Sequence, residues 1–203
     1  MVGRPRVVAI ASDLGREAAA IALSIAPGHS AAHCAQGMLY SAAGQLDEAA
    51  KAFERALATD SALGTAHGFA GYNAAFLGRA GETVPAIERA MDLDGSERRR
   101  SIWFFFGGFA ELLLQRTETA IPLFHKSLER NPSYGSAQLF LAAALFATGR
   151  HKEAADPAAK FRALYPQRRT RAFEQLWLSR SISAAYRAQI RPAFEIRGLG
   201  LAN

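Results

Sequence analysis

One stretch of this chain comes back three more times at nearly constant stride. Gly-Gln-Leu-Asp-Glu-Ala-Ala-Lys-Ala-Phe-Glu-Arg-Ala-Leu (44–57) aligns with Gly-Arg-Ala-Gly-Glu-Thr-Val-Pro-Ala-Ile-Glu-Arg-Ala-Met (78–91), 34 residues on. Gln-Arg-Thr-Glu-Thr-Ala-Ile-Pro-Leu-Phe-His-Lys-Ser-Leu (115–128) follows after a further 37, and Gly-Arg-His-Lys-Glu-Ala-Ala-Asp-Pro-Ala-Ala-Lys-Phe-Arg (149–162) after 34 again. A unit this small cannot bury its own apolar face, so a run of such units must stack into one continuous core. That excludes most architectures before any other property is considered.

Each unit reads as two helices. The first is rich in small and apolar residues: Ala31–Ala43, Thr65–Leu77, Ser101–Leu114 and Ser136–Thr148. The second carries apolar residues at helical spacing, as in Ala49, Phe53, Ala56 and Leu57. Gly44, Gly78 and Gly149 mark the turn between them, where a helix end favours glycine. Stops follow each second helix at Asp60-Ser61, Asp94-Gly95, Asn131-Pro132 and Tyr165-Pro166, and Pro27 fits the same register one unit earlier. The three extra residues of the 37-residue step are expected in a polar loop, Gly95 to Arg100. Gly37, Gly71, Gly108 and Ala142 recur at one point of the first helix, and Ala49, Thr83, Ala120 and Ala154 at one point of the second. Small side chains there let two backbones approach, while Phe53, Ile87 and Phe124 fill the space between neighbouring units. Pro85, Pro122 and Pro157 are expected near helix starts, where a missing N–H costs least.

In period, small-residue contact points and Asn-Pro or Tyr-Pro stops, residues 1–166 resemble the tetratricopeptide repeat. The likeness implies an all-α fold, an α-solenoid of antiparallel helix pairs with about four repeats and a C-terminal capping helix. The expected organisation is an incomplete N-terminal repeat (1–29), an array over 30–168 (units 30–63, 64–100, 101–134 and 135–168), and a cap and tail (169–203). The chain departs from the family where a large aromatic is usual early in the first helix: His33, His67 and Gln138 stand there, with Phe104 the better match. A narrower likeness lies in Ser96–Phe106, the Asn131-Pro132-Ser133-Tyr134 stop, Ala142–Leu145 and the tail Tyr186–Arg191 with Gly198-Leu199. These look like the C-terminal arrays of bacterial class III adenylate/guanylate cyclases or winged-helix transcriptional regulators. That resemblance implies an effector domain outside the chain, since neither a cyclase carboxylate motif nor a helix-turn-helix pattern occurs within it.

The ends follow from the repeat. Leu14–Ile25 reads as the second helix of an earlier unit whose first helix, Arg6–Ser12, is too short, so an apolar face is left uncovered. That points to truncation or to an upstream domain. Arg171–Gln189, with Phe173, Leu176, Trp177 and Tyr186, reads as a closing helix.

Function is expected from area rather than chemistry. By analogy with the family, the first helices line a concave groove made by Cys34, Met38, Tyr72, Phe76, Phe105, Phe109, Leu112, Leu139 and Phe146. An uncharged, aromatic-rich strip suits an amphipathic helix or apolar peptide, and the chain's own closing helix is the competing occupant. It argues against clamping a carboxylate terminus with Lys and Asn. Trp103-Phe104-Phe105-Phe106 must divide between core and groove, at about 100° per residue. His33, Cys34 and His67 fall short of a closed zinc site, and no nucleophile elbow, phosphate loop or paired carboxylate suggests an enzyme. No cofactor is expected.

The net charge of +6 is uneven: residues 101–203 hold 14 Lys/Arg against 7 Asp/Glu, whereas residues 1–100 are nearly balanced. Arg162, Arg168, Arg169 and Arg171 form a basic surface that fits phosphate or an acidic protein, though nothing beside it resembles a nucleic-acid module. The single cysteine fits a reducing compartment, the cytoplasm. A protein or peptide partner, or an effector domain of the full-length protein, is therefore expected, with neither nucleic acid nor membrane.

Overall fold

The computed structural model describes residues 4–165. Among these, helix follows helix: α1 (Arg4–Ile25), α2 (Ser30–Ala42), α3 (Leu46–Thr59), α4 (Gly64–Phe76), α5 (Thr83–Leu93), α6 (Glu97–Leu113), α7 (Thr117–Arg130), α8 (Gly135–Ala147) and α9 (His151–Leu164). A 3-10 turn over Ala80–Glu82 leads into α5, and no strand occurs among the described residues. Each helix packs on its sequence neighbours, most extensively within the pairs α2/α3, α4/α5, α6/α7 and α8/α9. This is an α-solenoid of adjacent helix pairs.

The turn inside each pair is the same device used four times. The backbone N–H groups of Gln45, Arg79, Arg116 and Arg150 bond the carbonyls of Tyr40, Ala74, Glu111 and Leu145, at 2.8–2.9 Å. These six-to-one bonds satisfy carbonyls that the helix end would orphan. The residue before each must turn left-handed: Gly44, Gly78 and Gly149 have φ of 77°, 82° and 78°. In the third pair Gln115 takes that conformation, φ 61°.

Close approach follows the small residues. A Cβ on Gly37 would lie 2.6 Å from the Phe53 ring, and one on Gly108 would lie 2.8 Å from Phe124. Phe53 and Phe124 thus fill the space over a glycine within their own pair, and not only the space between pairs. Ala49, Thr83, Ala120 and Ala154 are fully buried. Two buried clusters result, a small one around Cys34, Phe53 and Ala66, and a large one from Leu46 through Phe161.

Three local expectations need correction. Of Gly95–Arg100, only Gly95 and Ser96 lie outside helix; Glu97–Arg100 form the first turn of α6, so the insertion lengthens that helix. Asp94 accepts the Ser96 N–H (3.0 Å) and a Glu97–Arg100 pair (3.2 Å) spans the added turn. Next, Arg6–Ser12 is no separate first helix: with neither glycine nor proline between Arg6 and Leu14, nothing interrupts α1. Last, Pro85 lies in the first turn of α5, but Pro122 and Pro157 sit inside α7 and α9. Each removes the N–H that would have bonded Glu118 or Glu153 four residues back.

The expected capping helix Arg171–Gln189 and tail lie outside the described residues. No helix among the described residues is long and apolar enough to cross a membrane.

Candidate functional site

The first helices α2, α4, α6 and α8 carry the nine residues expected to line a groove. Met38 is 37% exposed, and Leu112 and Phe146 are half-buried. Cys34, Tyr72, Phe76, Phe105, Phe109 and Leu139 are buried. The aromatic members interlock across helices. Tyr72 of α4 stacks on Phe106 of α6, centroids 3.7 Å apart and 7° from parallel. Phe109 lies 5.6 Å from Phe76 and 5.4 Å from Phe140, and Phe105 meets Tyr134 edge-on at 5.0 Å. Such pairs add roughly 0.5–1.5 kcal/mol each to the burial of the rings. The strip is therefore an aromatic ladder binding α4, α6 and α8 together, with accessible apolar surface at Met38, Leu112 and Phe146.

The run Trp103–Phe106 divides by helical geometry. Trp103 is fully buried against Gly68 of α4, and Phe105 and Phe106 join the ladder. Phe104 faces outward, with the Arg130 guanidinium 4.7 Å and the Lys126 ammonium 5.7 Å from its ring centroid. These are cation–π contacts on the partly exposed face.

The residues that stand where the family usually has an aromatic share one task. His33 donates from Nε2 to the carbonyl of Pro27 (2.8 Å), His67 to that of Ser61 (2.9 Å), and Gln138 from Nε2 to that of Pro132 (3.0 Å). Each ties the start of a first helix to the stop six residues earlier. His33 and His67 are thus structural tethers, and no group of three metal-ligating side chains occurs among the described residues. Burial pushes the Cys34 thiol up to about 11, with the Arg99 guanidinium opposing in part, which keeps it protonated and unreactive at neutral pH. Arg162 lies exposed on α9; Arg168, Arg169 and Arg171 lie outside the described residues.

One feature escaped sequence reasoning. A cavity of about 380 Å³ opens between α7, α8 and α9, over Leu128, Leu141 and Leu145, with Glu129, Asp156 and Lys160 at its edge. Lys160 pairs with Asp156 (2.7 Å), and Arg150 forks onto Glu153 (2.9 and 2.6 Å), holding that carboxyl below its usual range. In the sequence no local signal marks these charges as the edge of a cavity.

Comparison with known proteins places this geometry. Tetratricopeptide repeat models match residues 30–62 and 111–160. No curated protein matches the sequence. Among solved structures, the chain is similar to YrrB, described as a TPR protein with an unusual peptide-binding site, at 19% identity and TM-score 0.59, covering 90% of this chain and 93% of that one. It is similar to pilF of Pseudomonas aeruginosa at 21% identity and TM-score 0.69, covering 98% and 92%. MamA matches at 16% identity and TM-score 0.59, covering 85% and 98%. Likeness at such identities is one of fold. Residues 30–62 and 111–160 thus carry tetratricopeptide repeats, and the helix pairs of the described residues stack in order as a TPR-like α-solenoid.

Proposed function

We propose that the chain is a non-catalytic scaffold that holds a peptide or helix of a partner protein along the apolar line of its first helices. The supporting observation is the uncharged strip from Met38 to Phe146, backed across α4, α6 and α8 by an interlocked aromatic ladder. A rigid backing presents its accessible apolar groups without ordering cost on binding. Leu112 and Phe146 are half-buried and Met38 is exposed, so these three are the residues a ligand meets first. Phe105 and Phe109 lie beneath, and substituting them probes stability rather than recognition. The likeness of fold to a peptide-binding TPR protein supports the same reading. A single buried cysteine suits a reducing compartment, and the cytoplasm is the location we assign.

The test is fluorescence polarisation with a panel of labelled amphipathic helical peptides. The triple variant Met38→Glu, Leu112→Glu, Phe146→Glu is expected to bind at least about tenfold more weakly than wild type. Equal affinity in the two proteins rejects this strip as the binding surface.

A further inference from the structure

Helix α1 breaks the rule that every other second helix obeys. In the repeat register Leu14 stands where α3, α7 and α9 place Glu48, Thr119 and Glu153, and where Glu82 precedes α5. Ile21 stands where they place Arg55, Arg89, Lys126 and Lys160. Leu14, Ile21 and Ile25 are 60%, 54% and 80% exposed, and Ala18 between them is exposed too. At spacings of four, three and four these residues form one apolar stripe along the helix. Its other side meets α2, where Gly15 lies against Leu39.

An in-register first helix does not supply the cover. The other second helices, counting the 3-10 turn before α5, begin at the register of Ser12; α1 is helical from Arg4. Eight further residues carry the chain about 12 Å past the point where the other pairs fold back.

We propose that the stripe is the two-fold contact of a homodimer, α1 packed antiparallel on α1 of a second copy. The pattern is self-complementary in that direction. Centred between Ala18 and Ile21, the pairing sets Leu14 opposite Ile25 of the second copy and Ala18 opposite its Ile21, a small residue receiving a large one. Charge selects the same direction. The charged residues of the segment 13–26 are Asp13, Arg16 and Glu17, all toward its N-terminal end. Antiparallel packing sets them opposite Ala26, Leu23 and Ala22 of the second copy; parallel packing would bring Asp13 to Asp13 and Glu17 to Glu17. A closed two-fold contact uses the same patch twice, which is how most homodimers form.

Sedimentation equilibrium of the full chain across a concentration series tests this. Wild type is expected to approach twice its 21.9 kDa mass. The variant Leu14→Glu, Ile21→Lys installs residues that the other second helices already carry at exposed positions, so the fold is expected to survive, with far-UV circular dichroism unchanged. It is expected to raise the dissociation constant at least about 100-fold. Arg55→Glu, at the matching site of α3, is the control and leaves assembly intact. A wild-type chain that stays monomeric at about 100 μM, far above the dissociation constant of a micromolar complex, overturns the proposal. So does a dimer that the double variant leaves unchanged.

Discussion

Gln115 is the residue that a designer would change first. It adopts φ 61° at the turn where three other pairs use glycine, and it is exposed. A residue with a Cβ pays about 1–2 kcal/mol for the left-handed conformation. Gln115→Gly is therefore expected to stabilise the fold by about 1 kcal/mol, read as a higher urea midpoint at unchanged slope. His67 permits a sharper comparison, because Gln138 performs its task in another unit. His67→Gln keeps a donor for the Ser61 carbonyl, whereas His67→Ala removes it at a cost of about 0.5–1.5 kcal/mol. Equal midpoints for the two variants would show that the tether contributes nothing.

The helix pair is the scale at which small residues act. In α6/α7 the Phe124 ring lies against Gly108, where an added Cβ would come within 2.8 Å. Phe124 is fully buried and its ring meets Phe105 and Phe140, so it has nowhere to retreat. Gly108→Ala is expected to destabilise by about 1–3 kcal/mol through overpacking, even though alanine favours helix more than glycine. The same exchange at Gly81, where a Cβ meets nothing within 4 Å, is the control. The pair α6/α7 also carries a reciprocal clasp: Ser101 Oγ donates to the Ser127 carbonyl (2.9 Å) and Ser127 Oγ to the Ser101 carbonyl (2.7 Å). Both hydroxyls are buried, and the clasp satisfies them without any partner outside the pair.

Across the whole molecule stability is uneven, because a solenoid sums units and nearest-neighbour contacts. The aromatic ladder links α4, α6 and α8, while α1 from Asp13 onward and α2 contribute only Ala19, Ala32 and Cys34 to the buried apolar residues. Native-state hydrogen exchange is expected to rank protection accordingly, slowest in α6 and α8 and fastest in α1. Uniform protection from α1 to α8 would mean that the array unfolds as one cooperative block and that the ladder does not set the order.

The recurrence of glycine, alanine and stop residues at one stride was enough to specify helix pairs, their turns and their stacking, since these depend on local backbone preference and on how closely two helices can approach. Even the three left-handed glycines could be read directly. The fate of Glu97–Arg100 could not: four charged residues suit a loop or a helical first turn equally, and the Asp94–Ser96 bond with its neighbouring ion pairs decides between them. Likewise, an apolar residue on a first helix has the same chemistry whether it lines a groove or joins a ladder. Only packing against Phe106, Phe124 and Phe140 assigned Tyr72, Phe105 and Phe109 to the interior, because burial belongs to the neighbours that a side chain meets across the fold.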